Sequence, residues 1–166
     1  MRIEDIKKTA VIGAGMMGNQ IAEILSRVGG YEVNMVDIND MLVREGLQAM
    51  EKRLERFFVS KGKLTTEEKK SIVSRIKGST SAEEAVKDVD FVIEVVLENL
   101  AIKKDVFKKL DENAPPQAIL ASNTSYQNIS EMASATRRPG KVVGTHFFNP
   151  VAMMRLVEVV RGARTS

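Results

Sequence analysis

Residues 9–37 restrict the possible folds of this chain more than any other segment. Thr9-Ala10-Val11-Ile12 has the composition of a short buried strand, and Gly13-Ala14-Gly15 stops it. A helical stretch follows, with Ile21, Ile24, Leu25 and Val28 on one face and Gly29-Gly30 as its end. Residues 31–36 read as a second strand, closed by Asp37. Between the first strand and the helix, Gly13-Ala14-Gly15-Met16-Met17-Gly18 fits G-x-G-x-x-G, and Asp37 falls 19 residues past Gly18. The string alone is weak evidence; the strand before it, the helix after it and the acid at the next strand end make it a dinucleotide-binding fingerprint. Gly13 permits the tight turn, Gly15 lets backbone approach a pyrophosphate, and Gly18 lets helix and strand pack closely. The free N–H groups at Met16 and Met17 and the positive helix end would face the phosphates. Asp37 would accept hydrogen bonds from the adenine-ribose hydroxyls. Ile38-Asn39-Asp40 brings no arginine for a 2′-phosphate, so NAD(H) is expected rather than NADP(H). A glycine turn without a ligand is the alternative.

The remaining chain continues the alternation. Residues 40–61 form a long amphipathic helix with Leu47, Met50, Leu54 and Phe57-Phe58 as its stripe, 66–77 a further helix, and 81–86 a short one. Residues 90–96 are a nearly continuous apolar strand, of the kind covered on both faces. A helix over 101–110 is broken by Pro115-Pro116, and 118–121, 142–146 and 155–160 are strands. The fold class is therefore α/β: a Rossmann-type, doubly wound, mostly parallel sheet with helices on both faces. The last two strands lack an intervening helix and are expected to run antiparallel. Residues 1–166 make one domain, with 1–8 as a polar lead-in and 40–77 as a long helical excursion.

Composition removes several function classes. The chain has no cysteine and one histidine, which excludes a disulfide framework and makes a protein-built zinc site untenable; no metal is expected. The net charge of +3 is modest, and no nucleic-acid partner is expected. Lysines and arginines concentrate in 52–77, interleaved with acids at helical spacing, the pattern of a solvated helix face or of an electropositive lip for an anionic ligand. No apolar run has the length of a membrane span and no signal peptide opens the chain, so a cytoplasmic location is expected.

His146, the single histidine, lies in Gly144-Thr145-His146-Phe147-Phe148-Asn149-Pro150. Imidazole titrates near neutral pH and suits proton transfer. Glu158 interrupts the apolar run Leu156-Val157-Glu158-Val159-Val160, where a carboxylate is costly unless paired. The two are expected to be partners; a core histidine near an edge-strand glutamate is the alternative. Ligands of such sheets lie beyond the carboxyl ends of the strands. Glu98 and Asn99 follow one strand, Ser122-Asn123-Thr124-Ser125 another, and His146 closes its own. Taken singly, Glu98 could cap the helix containing Lys103, the serine-rich string could cap a short helix, and Lys103 would be a solvated helix lysine.

The ordered strings of the chain resemble the NAD-binding domain of the L-3-hydroxyacyl-CoA dehydrogenases, including the 3-hydroxybutyryl-CoA enzymes. The resemblance rests on Val11-Ile12-Gly13-Ala14-Gly15-Met16-Met17-Gly18, Val92-Ile93-Glu94-Val95-Val96-Leu97-Glu98-Asn99, Ser122-Asn123-Thr124-Ser125, the His146 string and Met154-Arg155-Leu156-Val157-Glu158-Val159-Val160, and covers nearly the whole chain. It implies that His146 takes the proton of a substrate 3-hydroxyl, that Glu158 orients and supports the imidazole, that Ser125 bonds the substrate oxygen near the nicotinamide ribose, and that Asn149 reaches the nicotinamide side. Glu98 and Lys103 fall on further cofactor-contacting positions. It also implies an acyl-CoA substrate, beside whose CoA the helix from Asp40 would lie; Arg53, Arg56, Lys61 and Lys63 are the cations placed to meet its phosphates. Two departures matter. Tyr126 stands where a small serine commonly follows the Ser-Asn-Thr-Ser string. The chain ends at Ser166, where the family continues into a helical C-terminal domain that supplies a further active-site asparagine, much of the acyl pocket and the usual homodimer interface. The chain is thus expected to be the amino-terminal piece of a longer protein. A sugar-acid dehydrogenase of the gulonate type and a non-catalytic NAD-binding module are the rival assignments; retention of both His146 and Glu158 argues against the module.

Overall fold

The computed structural model describes residues 2–166. One sheet of seven strands organises them, in the order β3-β2-β1-β4-β5-β6-β7. Chain order is β1 (Lys8–Ile12), α1 (Met16–Arg27), β2 (Glu32–Val36), α2 (Asp40–Leu54), α3 (Thr66–Ser74), β3 (Ile76–Ser79), α4 (Ala82–Ala85), β4 (Phe91–Glu94), α5 (Leu100–Asn113), β5 (Ile119–Ser122), α6 (Ile129–Ala133), β6 (Val142–Phe147) and β7 (Val157–Arg161). Every pairing is parallel except β6 with β7, which is antiparallel as their short connection requires. The strand order reverses at β1, whose carboxyl end carries the glycine turn. That switch point is where an open α/β sheet leaves a crevice.

Alternation along the strands divides the core into two layers. Ala10, Ile12, Val92, Leu120 and Val142 face α4, α5 and α6, with Phe107, Leu110 and Met132 packed on them. Val11, Val33, Met35, Ile93 and Ala121 face α1, α2 and α3, meeting Ile21, Met50, Leu54 and Ile72. Each of these side chains larger than alanine contributes about 1.5–3 kcal/mol by leaving water. The helix starts are set locally. Asn39 caps α2 through Leu42 N, Thr65 and Glu68 form a reciprocal capping box on α3, and Asn99 accepts from Ala101 N and Ile102 N at the start of α5.

Three expectations need correction. The helix expected over 66–77 ends at Ser74, and Ile76–Ser79 is instead an edge strand beside β2. Arg75 makes the break: its guanidinium donates to Ser26 and Ser71, its carbonyl accepts from Val33 N, and Ile76 enters the core. The helix expected over 40–61 is α-helical to Leu54 and continues as a π turn, Glu55–Val59. Val28 and Phe57, assigned to buried stripes, are exposed. The lead-in gives way to β1 at Lys8, where Asp90 accepts from the N–H groups of Lys7 and Lys8.

Candidate active site

The glycine turn is forced by close approach. Gly13 has φ of +113°, and a Cβ there would lie 2.5 Å from the Val95 carbonyl oxygen. A Cβ on Gly18 would lie 1.8 Å from the Gly13 carbonyl oxygen, so α1 can leave the turn only with glycine at that position. Gly15 differs: a Cβ would meet nothing within 4 Å. Its bareness serves whatever occupies the space above it. Gly15 is the N-cap of α1 and offers no side-chain cap, so the first N–H groups, at Met16 and Met17, keep no side-chain partner at the cap. An open cradle, a positive helix end and a carboxylate at the end of β2 suit a dinucleotide. Asp37 holds the turn itself, Oδ2 accepting from Ala14 N at 2.7 Å and Oδ1 from Ile38 N at 2.7 Å. Beside it a cleft lined by Gly13, Ile38, Thr80, Val96, Val106 and Lys109 continues from Asp37.

The next strand ends carry a buried charge cluster. Lys103 is 1% exposed, unlike the solvated helix lysine it would be if taken singly. Its ammonium lies 2.8 Å from Glu94 Oε1 and 3.1 Å from Glu98 Oε2, and donates to the Val96 carbonyl at 3.4 Å. Glu94 is 0% exposed and also accepts from Val96 N at 2.7 Å and from Ser122 Oγ at 2.6 Å. Thr124 Oγ1 donates to Glu98 Oε1. The cluster ties the loop after β4 to the loop after β5. Neither Glu98 nor the Ser122–Ser125 string plays the capping role open to it on sequence grounds: Asn99 caps α5 and Asn128 caps α6.

The expected dyad forms by strand register. His146 on β6 pairs opposite Glu158 on β7, and Nδ1 lies 2.9 Å from Glu158 Oε2. An ionised carboxylate only accepts, so Nδ1 carries a proton, and in the neutral imidazole Nε2 keeps its lone pair. Nε2 lies 3.2 Å from Ser125 Oγ, which donates to it. Asn123 Oδ1 accepts from Phe147 N at 2.8 Å and holds the serine loop against β6. Asn149 stands on the other side of the turn, its Nδ2 4.0 Å from Met16 Sδ at the start of α1. Tyr126, next to Ser125, is 74% exposed.

Arg53, expected to meet substrate phosphates, is engaged by partners within the fold. Its Nε bonds Glu23 Oε2 at 2.5 Å, and its two terminal nitrogens bond Asn19 Oδ1 and the Asn19 carbonyl. Glu23 is itself buried and also pairs with Arg27. The guanidinium is committed to joining α2 to α1. Arg56 stays at the surface over the Phe57 ring, with Lys61 near the same ring.

Sequence reasoning missed Glu94, Glu23 and Gln20. Each is a polar residue on a buried face of its element, and that mismatch was the available signal.

The family model described as "3-hydroxyacyl-CoA dehydrogenase, NAD binding domain" matches residues 8–166. A "Probable 3-hydroxybutyryl-CoA dehydrogenase" of Bacillus subtilis (strain 168) is 48% identical over 162 residues, which are 98% of this chain and 55% of that protein. The "3-hydroxybutyryl-CoA dehydrogenase" of Clostridioides difficile is 44% identical over 96% of this chain and 56% of its own. Among solved structures, (S)-3-hydroxybutyryl-CoA dehydrogenase PaaH1 from Ralstonia eutropha superposes with a TM-score of 0.92 at 43% identity, covering 97% of this chain and 56% of that one. The chain thus spans about half the length of the relatives it matches. With the glycine cradle, Asp37 and the His146–Glu158 pair in place, the chain belongs to the NAD-binding domain family of the 3-hydroxyacyl-CoA dehydrogenases.

Proposed function

We propose that this chain is the cofactor-binding and proton-handling half of an NAD-dependent L-3-hydroxyacyl-CoA dehydrogenase of fatty-acid metabolism, acting in the cytoplasm as its bacterial relatives suggest. The observation that carries the reading is the line Glu158 Oε2, His146 Nδ1, His146 Nε2, Ser125 Oγ, with steps of 2.9 and 3.2 Å at its two hydrogen bonds. Bound NAD supplies the hydride acceptor. His146 Nε2 has the free lone pair and takes the proton of the 3-hydroxyl as the C–H bond breaks. Glu158 keeps the tautomer that leaves Nε2 basic and stabilises the imidazolium that forms. Ser125 Oγ holds the position into which the substrate oxygen comes and can bond it. Glu98 and Lys103 brace the cofactor side, and Asn149 bounds the nicotinamide side. Arg56, Lys61 and Lys63 are the cations left for the CoA phosphates once Arg53 is assigned to Glu23.

Positioning of reactants can be worth roughly 7–11 kcal/mol of barrier. One wall of the acyl pocket is assigned to the half of the relatives that this chain does not span, so residues 1–166 should bind NADH and leave acetoacetyl-CoA essentially unreduced. In the complete enzyme, His146→Gln should lower turnover roughly 10²–10⁴-fold with little change in NADH affinity. Glu158→Gln should also damage turnover more than binding. Calorimetry with NADH and an absorbance assay of acetoacetyl-CoA reduction test both statements. A kinetically silent Glu158→Gln in a folded enzyme would refute the proton line.

A further inference from the structure

We propose that Gln20 is a positioning residue that fixes the side-chain amide of Asn149, so that the site presents the Asn149 NH2, and not its oxygen, to a bound dinucleotide. The inference rests on the reading that this site takes NAD.

Gln20 lies on α1, one turn past the glycine loop, and is buried. Its amide has one acceptor oxygen and two N–H donors. Two backbone groups settle which end points where. Val151 N, on a buried residue, donates to Gln20 Oε1 at 3.0 Å. On the other side Gln20 Nε2 donates to the Met16 carbonyl at 2.9 Å. A backbone N–H cannot accept and a carbonyl cannot donate, so flipping this amide would break both bonds. The second Nε2 proton is left for Asn149 Oδ1, at 3.2 Å.

That contact turns the oxygen of Asn149 inward, toward Gln20. An isolated asparagine could turn either end to a ligand; here Nδ2 is the end turned outward, on the exposed rim 4.0 Å from Met16 Sδ. The group on offer is therefore a donor, beside the N-terminus of α1, and it recognises a hydrogen-bond acceptor such as an amide carbonyl or a ribose oxygen. Gln20 also joins the glycine turn to the segment that leaves β6, the strand of His146. A shift of α1 relative to β6 would move Asn149 with it.

The test is NADH affinity of this chain by nucleotide fluorescence, for Asn149→Ala, Gln20→Leu, their double variant and Gln20→Glu, with circular dichroism as the check on folding. Loss of one neutral hydrogen bond is expected to weaken NADH about 2–12-fold in Asn149→Ala, and Gln20→Leu to weaken it by a similar factor. The double variant should be no weaker than the worse single one, because both changes remove the same contact. Gln20→Glu keeps the acceptor for Val151 N but cannot donate to Asn149 Oδ1. It should therefore weaken NADH at least as much as Gln20→Leu. A merely structural Gln20 would lower the melting temperature and leave NADH affinity unchanged, and multiplying effects in the double variant would also overturn the proposal. Absence of NADH binding by the unaltered chain would instead overturn the assignment of the site, before any variant is compared.

Discussion

Replacing Lys103 by methionine tests whether the buried cluster behind the cofactor crevice holds the two loops together electrostatically. Methionine keeps most of the side-chain volume, so the change removes charge and not packing. The ammonium lies 2.8 Å from Glu94 Oε1, with the two side chains 1% and 0% exposed. At an effective dielectric constant of about 20, two unit charges at that separation attract by about 6 kcal/mol. Most of this is offset by the cost of desolvating both ions, which is several kcal/mol each, so the intact pair adds little net stability. The asymmetry appears when one partner goes. Glu94 would keep Val96 N and Ser122 Oγ but lose its counter-charge in a site without water access. The expected loss is about 3–5 kcal/mol, against a typical total of about 5–15 kcal/mol. Urea unfolding followed by circular dichroism measures it, with an unchanged slope as the sign that the same surface is exposed. A second arm adds Glu94→Gln to Lys103→Met. Glutamine can accept from Val96 N and donate to Ser122 Oγ, so the double variant should recover much of the loss. A loss under about 1 kcal/mol for the single change, or no recovery in the double, would refute the electrostatic account.

The second and third glycines of the turn should separate folding from binding: Gly18→Ala should destabilise the fold because its Cβ would sit 1.8 Å from the Gly13 carbonyl oxygen, whereas Gly15→Ala should melt normally and lose NADH affinity. Thermal melts beside NADH titrations distinguish the two. Asp37→Ala removes the acceptor of Ala14 N and the expected partner of the ribose diol. NADH should weaken by roughly 10–150-fold, the worth of a charged hydrogen bond, and the preference over NADPH should narrow on titration of both. Burial works to raise the Asp111 carboxyl, but bonds from Arg137 and Arg138 outweigh it and hold the group below its ordinary value of 3.8. A depressed carboxyl binds protons more readily when unfolded, so its stabilisation is complete above that ordinary value and is lost as pH falls through the folded one. Asp111→Asn should therefore cost on the order of 3 kcal/mol near pH 7 and progressively less in urea melts taken below about pH 4.

The parts of this molecule that were legible in the sequence are those governed by one local rule. The glycine turn declares itself because Gly13 and Gly18 are sterically compelled, and the antiparallel β6–β7 pair because no crossover helix separates the strands. The β3 strand was hidden for the opposite reason. It is four residues long with only Ile76 buried, and it follows a capped helix whose pattern runs on past Ser74. Its strand character comes from β2, a partner 43 residues away in the register Val33 to Ile76. The inward turn of Lys103 and Arg53 was hidden in the same way: both sit at helical spacing among charges, and only tertiary contacts hold them there. The desolvation argument that drew attention to Glu158 applies more strongly to Glu94, which lies in an equally apolar strand and is wholly buried. Treating that strand as continuous hid it.

Glu94 and Glu158 show how one physical cost serves two purposes. Glu94 is sealed among fixed donors and acts as a strut. Glu158 is 53% exposed and touches His146 from an edge strand, open to solvent. Its position is a matter of register, since a slip of one residue along β7 would turn the carboxylate to the other face of the sheet. The strand's own side chains cannot enforce that register, because all but Val157 are exposed. The constraint comes from just beyond it. Thr165 Oγ1 donates to the Val142 carbonyl at 2.6 Å and accepts from Gly162 N, while Ala163 N donates to Ser130 Oγ on α6. On the strand itself a Cβ at Gly144 would lie 3.0 Å from both Val160 Cβ and Ile129 Cδ1, so the bare backbone there admits Val160 opposite it. With Val160 seated on Gly144, Glu158 falls opposite His146. The His146–Glu158 pairing is thus set by a glycine two residues before the histidine and a threonine seven residues after the glutamate, neither of which belongs to the pair.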